Sequence, residues 1–371
     1  MKLYINKEEL LQPLIKVASI VERKQTIPIL ANVLISASED NLQLLCTDLE
    51  VESRIRISSN HYHEAYGSCT VDAKKLLDIV KALPDNSPIL LQQNKDRLKL
   101  TSGRSKFSLQ TRAPEDFPLT EDNDWDFQTA IQQPQLKKLI ELCVFTMAHH
   151  DVRYYLNGML FRFQPGQLIT VATDGHRLGK AYINDSNITR SWDLVMPRKA
   201  VLEMSRLLGY QNEPVKLQSN KHHFRLNIGA LSFISKLIDA KYPDYSTLIP
   251  TNLDKTIIIN RERFIEAASR SAILCSDKTP GVHLQATNNQ LTLVVSTVEQ
   301  EQATEELTVS YDGPDFEVGY NVMYLIEAAK SIENEEICFQ IGTIDAGCVI
   351  SSAQALDHVA DCQYLVMPIR I

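Results

Sequence analysis

Two rhythms of apolar residues alternate along this chain. Alternation at every second position, as in "RLKLTSGRSKFSLQT" (97–111) and "HFRLNIGALSFIS" (223–235), predicts strands; spacing near 3.6, as in "VDAKKLLDIVKAL" (71–83), predicts helices. The order of these elements repeats. "LYINKEELLQPLIKVASIV" (3–21), "TAIQQPQLKKLIELCVFTM" (129–147) and "IIINRERFIEAASRSAIL" (257–274) each read as a short strand, a polar turn and a helix. Pro134 stands at a first-turn position, and Asn6 and Asn260 are candidate N-caps. Pro13, inside the first pattern, should kink that helix or delay its start. A second landmark follows in each copy: "LQLLCTDLEVESRIRI" (42–57), "LITVATDGHRLGKAYI" (168–183) and "LTLVVSTVEQEQATEEL" (291–307), with Thr47, Thr173 and Thr297 126 and 124 residues apart. Then come a second helix (71–83, 196–208, 319–332) and alternating strands (97–111, 223–235, 337–351). "PEDFPL" (114–119), "KYPDYSTLIP" (241–250) and "YLVMPIRI" (364–371) close the copies.

Three similar domains are therefore expected, at 1–125, 126–250 and 251–371, each made of two similar halves. Short links such as Glu39–Asn41 and Ser102–Gly103 require antiparallel neighbours. The predicted class is α+β, with two helices per domain packed on antiparallel sheets. Residues 115–127 and 248–256 are the polar linkers. A chain of 371 residues exceeds one ordinary core, in keeping with several domains.

Composition narrows the function. Apolar runs fall far short of the ~20 residues needed to cross a bilayer. "MKLYINKEEL" lacks the apolar region and cleavage site of a signal peptide. Cys46, Cys69, Cys143, Cys275, Cys338, Cys348 and Cys362 are odd in number and contain no CxxC pair; reduced thiols in the cytoplasm are expected, with no zinc site. The net charge of −8 argues against DNA as a partner held by summed charge. The helices, however, are more basic than the chain: Lys7 and Lys16; Lys74, Lys75 and Lys81; Lys137 and Lys138; Arg198, Lys199 and Arg206; Arg261, Arg263 and Arg270; Lys330. If equivalent helices face one way, an acidic protein acquires one basic surface.

The chemistry-bearing stretch is "TDGHRL" (173–178). Asp174 and His176 share a strand face, the arrangement a hydrolase would need for acid–base work, but no nucleophile, phosphate loop or metal cluster accompanies them. Copy one continues Thr47-Asp48 as "LEVE", without His or Arg. Thr-Asp is therefore read as a turn pair bonding local backbone, and "GHRL" as the feature special to copy two.

The triple repeat, "TDLEVE", "HDVRYYLNGMLF" (150–161), "TDGHRL", "YPDY" (242–245) and the terminal "YLVMPIRI" together resemble the bacterial sliding-clamp family, the β subunits of DNA polymerase III. The resemblance spans the whole chain. It implies a non-catalytic processivity factor: three clamp domains per chain, two chains head to tail in a ring, and duplex DNA passing non-specifically through a helix-lined hole. No cofactor, metal or membrane is implied. Topological linkage removes the charge paradox. By motif, the resemblance carries DNA contact to Lys24, Lys74, His150, Tyr154 and Tyr155; Lys24 and Lys74 replace arginines, and Pro280 stands where an arginine is common. It carries the dimer contact to Lys75, Arg97, Arg104, Lys106, Phe107 and Leu109 on one edge, and to Ile273, Leu274, Glu299, Glu301 and Glu305 on the other. It also implies a pocket for a Gln/Leu/Phe-type peptide of the polymerase catalytic subunit, the clamp loader, other polymerases and repair proteins. That pocket falls on Leu156, Thr173, Gly175, His176, Arg177, Leu178, Pro243, Thr247, Leu248, Asn321, Tyr324, Leu365, Val366, Met367, Pro368, Ile369 and Arg370. Thr247 stands where an arginine is common.

Overall fold

A computed structural model describes residues 1–370 except 23–25, 40, 58–61, 121–123, 276–279, 344–346 and 355–359. Among the described residues the chain forms six α-helices: α1 (Lys7–Ala18), α2 (Ala73–Ala82), α3 (Gln133–Cys143), α4 (Arg198–Leu207), α5 (Arg261–Ser271) and α6 (Val322–Ser331). They lie where the 3.6 spacing predicts. Their apolar stripes are buried: Leu10, Leu14 and Val17 on α1, Leu76 and Val80 on α2, Phe264 on α5 and Leu325 on α6. Burial of each such side chain stabilises by about 1.5–3 kcal/mol relative to exposure. The Asn6 backbone N–H donates to the Glu9 carboxylate (3.3 Å), and the Asn260 side chain accepts from the Arg263 N–H (3.1 Å), so both predicted N-termini hold. Pro13 does not delay α1, which starts at Lys7 and runs through to Ala18.

All named strand pairs are antiparallel, and the ladders join one repeat to another. Val51–Ile57 of copy one pairs with Leu231–Lys236 of copy two, Val51 opposite Ser235. Arg177–Asn184 of copy two pairs with Asp361–Val366 of copy three, Arg177 opposite Val366. By contacts the chain divides into two compact units, 1–133 with 202–237 and 134–201 with 238–371, and each of these junctions lies inside one unit. In the second unit α5 and α6 cover a four-stranded and an eight-stranded sheet, with Phe264 against Phe339 at 4.9 Å between ring centres and Leu284, Leu293, Tyr320 and Ile337 beside them in the core.

One device recurs at the first helix of every copy. The backbone N–H groups of Lys7, Gln133 and Arg261 donate to the carbonyls of Ser87, Glu213 and Glu335, the residues just before the strand that follows the second helix. Their side chains then tie down the end of that second helix. Lys7 donates to Leu83 O (2.6 Å), Arg261 to Ile332 O (2.9 Å), and Gln133 Oε1 accepts from Gly209 N–H (3.0 Å). This corrects the reading of Lys7 and Arg261 as part of a basic helix face. Lys7 is buried and ion-paired with Asp85 at 2.7 Å. Both cations point at carbonyls left open by a helix terminus.

The Thr47-Asp48 turn is a backbone device. Thr47 Oγ1 donates to Val51 O (2.9 Å) and accepts from Leu49 N–H (3.1 Å), while Asp48 Oδ1 accepts from the N–H groups of Glu50 (2.9 Å) and Val51 (2.7 Å). The turn forces Leu49 to φ 78°, a conformation unfavourable for a residue with a Cβ. Relief of about 1–2 kcal/mol of left-handed strain outweighs the extra chain entropy of glycine, ~0.5–1 kcal/mol, so Leu49→Gly should stabilise this unit slightly. Urea unfolding checks it; a lower midpoint for the glycine variant contradicts the strain account.

Candidate functional site

The equivalent turn in copy two repeats those four bonds. Thr173 Oγ1 donates to Arg177 O (2.6 Å) and accepts from Gly175 N–H (3.1 Å); Asp174 Oδ1 accepts from His176 N–H (2.9 Å) and Arg177 N–H (3.0 Å). Asp174 Oδ2 takes Arg177 Nε at 3.1 Å. Both carboxylate oxygens are thus engaged in holding the turn. The turn-pair reading stands, and Asp174 is placed as a structural acceptor rather than a base for His176.

Gly175 occupies the place of Leu49, at φ 89°. Leu49 shows that this backbone conformation does not by itself demand glycine. What differs is the space: a Cβ at 175 would come within 2.7 Å of the Arg153 guanidinium, which lies over the turn and is held there by Asp151 at 2.8–3.0 Å. That Arg153 pairing holds the Asp151 carboxyl down to about 2. Asn157 fastens the same loop, accepting from Asp151 N–H (2.9 Å) and donating to Asp151 O (2.8 Å).

Arg177 ties the turn to two other segments. Its side chain is nearly enclosed: besides Asp174 it bonds the Glu327 carboxylate and Phe145 O (2.7 Å), and its guanidinium lies 4.2 Å from the centre of the Tyr324 ring and 5.3 Å from that of Phe145. Burial raises the Tyr324 phenol above its usual range. The C-terminal strand reaches the turn by its ladder with Arg177–Asn184, and beyond it Met367 N–H donates to His176 O (2.9 Å) and Ile369 N–H to Gly319 O (2.9 Å).

The candidate pocket residues differ in exposure. Leu178 and Leu365 are buried in one apolar cluster with Tyr242 and Tyr245, and Leu156 and Val366 are buried as well; these form foundation rather than open surface. Gly175, His176, Thr247, Leu248, Met367 and Arg370 are exposed, with Pro243, Tyr324, Pro368 and Ile369 half-buried. Asn321 serves as the N-cap of α6, accepting from Met323 N–H (2.9 Å), and Thr247 donates to Asp244 O (2.9 Å). Arg153 lies over the turn, and Phe145 and Glu327 bond Arg177; no sequence periodicity points to any of the three.

Lys24 falls outside the described residues. Lys74 and Lys75 are exposed in the first turn of α2. His150 adopts φ 60° and stacks edge-on to His149; Tyr154 is exposed beside half-buried Tyr155, rings 5.9 Å apart. Arg97, Arg104, Lys106 and Phe107 are exposed and Leu109 half-buried on their hairpin. Ile273 is 78% exposed, Leu274 is half-buried, Glu299 and Glu301 are exposed, and Glu305 is ion-paired with Arg270.

Comparison with known proteins addresses the whole chain. Models of the N-terminal, central and C-terminal domains of the DNA polymerase III beta subunit match residues 1–121, 130–244 and 246–370. The beta sliding clamp of Proteus mirabilis is 40% identical over 374 residues and that of Escherichia coli K12 37% over 372, each alignment covering 100% of both chains. The solved DNA polymerase III subunit beta of Pseudomonas aeruginosa superposes over 100% of both chains with a TM-score of 0.96 at 39% identity. A sliding clamp of the same organism, solved bound to griselimycin, gives 0.95 at 39%. With all three domain models matched in order and the likeness unbroken from end to end, the chain belongs to the DNA polymerase III β subunit family, the bacterial β sliding clamps.

Proposed function

We propose that the chain closes a head-to-tail ring by the same strand junction that joins its own repeats. It is a processivity clamp of DNA replication and not an enzyme: a homodimer encircles duplex DNA and tethers the polymerase and other partners by short peptides. One observation carries the ring. Val51–Ile57 and Arg177–Asn184 each find the last strand of the next repeat, whereas their counterpart Gln302–Thr308 is left at a sheet edge. The complementary strand, Ser105–Arg112, meets a second neighbour only at Thr111 and Arg112 among the described residues. A second chain satisfies both edges, and two such contacts close on themselves. Arg97, Arg104 and Lys106, with Lys75 on α2, face Glu299, Glu301 and Glu305 in this reading, which steers the pairing, while Phe107, Leu109, Ile273 and Leu274 supply its apolar centre. In this reading the three repeats at 1–125, 126–250 and 251–371 are the domains, and the protein acts in the bacterial cytoplasm; among the described residues no helix is long and apolar enough to cross a membrane.

Exposed charge pairs contribute only ~0.2–1 kcal/mol each. Arg104→Glu with Lys106→Glu should therefore weaken the dimer modestly. Ile273→Ala with Leu274→Ala should weaken it more, by ~2–5 kcal/mol per site buried in the assembly. Sedimentation reads both; an undisturbed dimer in both double variants removes this interface.

DNA contact by Lys24, Lys74, His150, Tyr154 and Tyr155 is taken as weak and blind to sequence, since phosphates carry no code. Lys24→Glu with Lys74→Glu should shorten residence on nicked circles equally for all sequences. A sequence-selective footprint on linear DNA contradicts this.

The partner peptide, presenting a Gln and a Leu-Phe-like pair, is assigned to the groove over the 173–178 turn. Gly175, His176, Pro243, Leu248 and Met367 form its surface there, Thr173, Arg177 and Leu178 its frame, and Leu156, Leu365 and Val366 its foundation. Asn321, Tyr324, Thr247, Pro368, Ile369 and Arg370 form the rim. The pseudomonad clamp solved with griselimycin shows that a relative of this shape takes a ligand. Anisotropy with a labelled peptide containing Gln-Leu-x-Leu-Phe tests the groove. Deleting Met367–Ile371 should abolish binding with the dimer intact, and Met367→Ala should cost ~1–3 kcal/mol. Unchanged affinity in the truncated dimer moves the pocket elsewhere.

A further inference from the structure

We propose that Glu327, on α6, is a positioning residue for the peptide groove, acting through Arg177 on Tyr324 and on the 173–178 turn; this rests on the groove reading above. The Arg177 guanidinium distributes its donors over three acceptors on three separate segments: Asp174 in the turn, Phe145 O after α3 and Glu327 in α6. Asp174 is tied to its own turn, because its other oxygen takes two backbone N–H groups there. Glu327 is the one of the three that belongs to the helix carrying Tyr324, three residues earlier and so on the same helix face. It therefore pins the guanidinium against the helix at the point where the cation lies over the Tyr324 ring, at 4.2 Å. The ring in turn has one face fixed by the cation, and the turn is held at a set distance from α6.

Without the Glu327 carboxylate, Arg177 keeps Asp174 and Phe145 O but loses its ion pair to α6, leaving only its contact with the Tyr324 ring. The Tyr324 ring is then free to change rotamer, and a peptide would have to order it on binding. Glu327→Gln preserves shape and helix propensity and removes the charge. Expected for the dimeric variant is a loss of about fivefold or more in affinity for the Gln-Leu-x-Leu-Phe peptide. A shifted 19F resonance of 3-fluorotyrosine at position 324, assigned with Tyr324→Phe, should accompany it. Glu327→Asp should recover part of both, and the melting temperature of Glu327→Gln should stay near that of the unsubstituted protein. Affinity within twofold of the unsubstituted protein, or an unmoved Tyr324 resonance, overturns the proposal. The Met367–Ile371 deletion run in parallel separates the two failures. If the deletion also leaves binding intact, the groove reading is what fails; if it abolishes binding while Glu327→Gln does not weaken it, only the role of Glu327 falls.

Discussion

An antiparallel half-sheet that stops must do something with the N–H and C=O groups of its last strand. In this chain that need organises everything larger than a repeat. Copy one hands its open edge to copy two, and copy two hands its own to copy three, in matching orientation. The compact units of the molecule are for this reason not the repeats themselves: ladder bonds between successive copies are as continuous as those within a copy. A strand edge is a donor–acceptor row that water satisfies less specifically than another backbone does. The tail of the chain is ordered by the same rule. Asp361–Val366 runs between Cys348–Ser352 of its own repeat and Arg177–Asn184 of the one before, and the residues after it are thereby delivered to the 173–178 turn.

The 173–178 turn repeats one that copy one also carries. Thr-Asp supplies the same four bonds in copies one and two. In copy one the position at positive φ carries leucine; in copy two it is stripped to glycine so that Arg153 can lie across it. In copy two Arg177 takes the place of Val51, and its long planar side chain ties the turn to a helix of the next repeat. Two differences at fixed backbone geometry thus account for much of what separates the turn of copy two from that of copy one.

Much of this was legible in the sequence, for reasons that differ by element. The helices were readable from 3.6 spacing because each buries a single stripe, and the repeat was readable because the Thr landmark keeps its distance. The importance of 173–178 could be reasoned out because one copy departed from the other two. Arg177 could be named but not understood: its partners Phe145 and Glu327 lie 32 and 150 residues away, and no periodicity connects them. Lys7 and Arg261 were misread as surface charge because a cation beside a helix start has the same local pattern whether it meets water or a carbonyl. Gln133 does the equivalent work with an amide acceptor, so chemical identity hides the correspondence altogether.

The junctions between repeats have a further consequence in mass action. Inside one chain the two mating strands belong to one continuous polypeptide, so each junction forms at an effective concentration that dilution cannot lower. The third junction in the proposed ring is chemically of the same kind but has no linker, so its occupancy alone follows the number of chains present. Of six nominally alike seams in a closed dimer, four are insensitive to how much protein a cell makes and two are set by it. Where such a ring parts is thus determined less by the strength of any one seam than by which seams are covalently spanned.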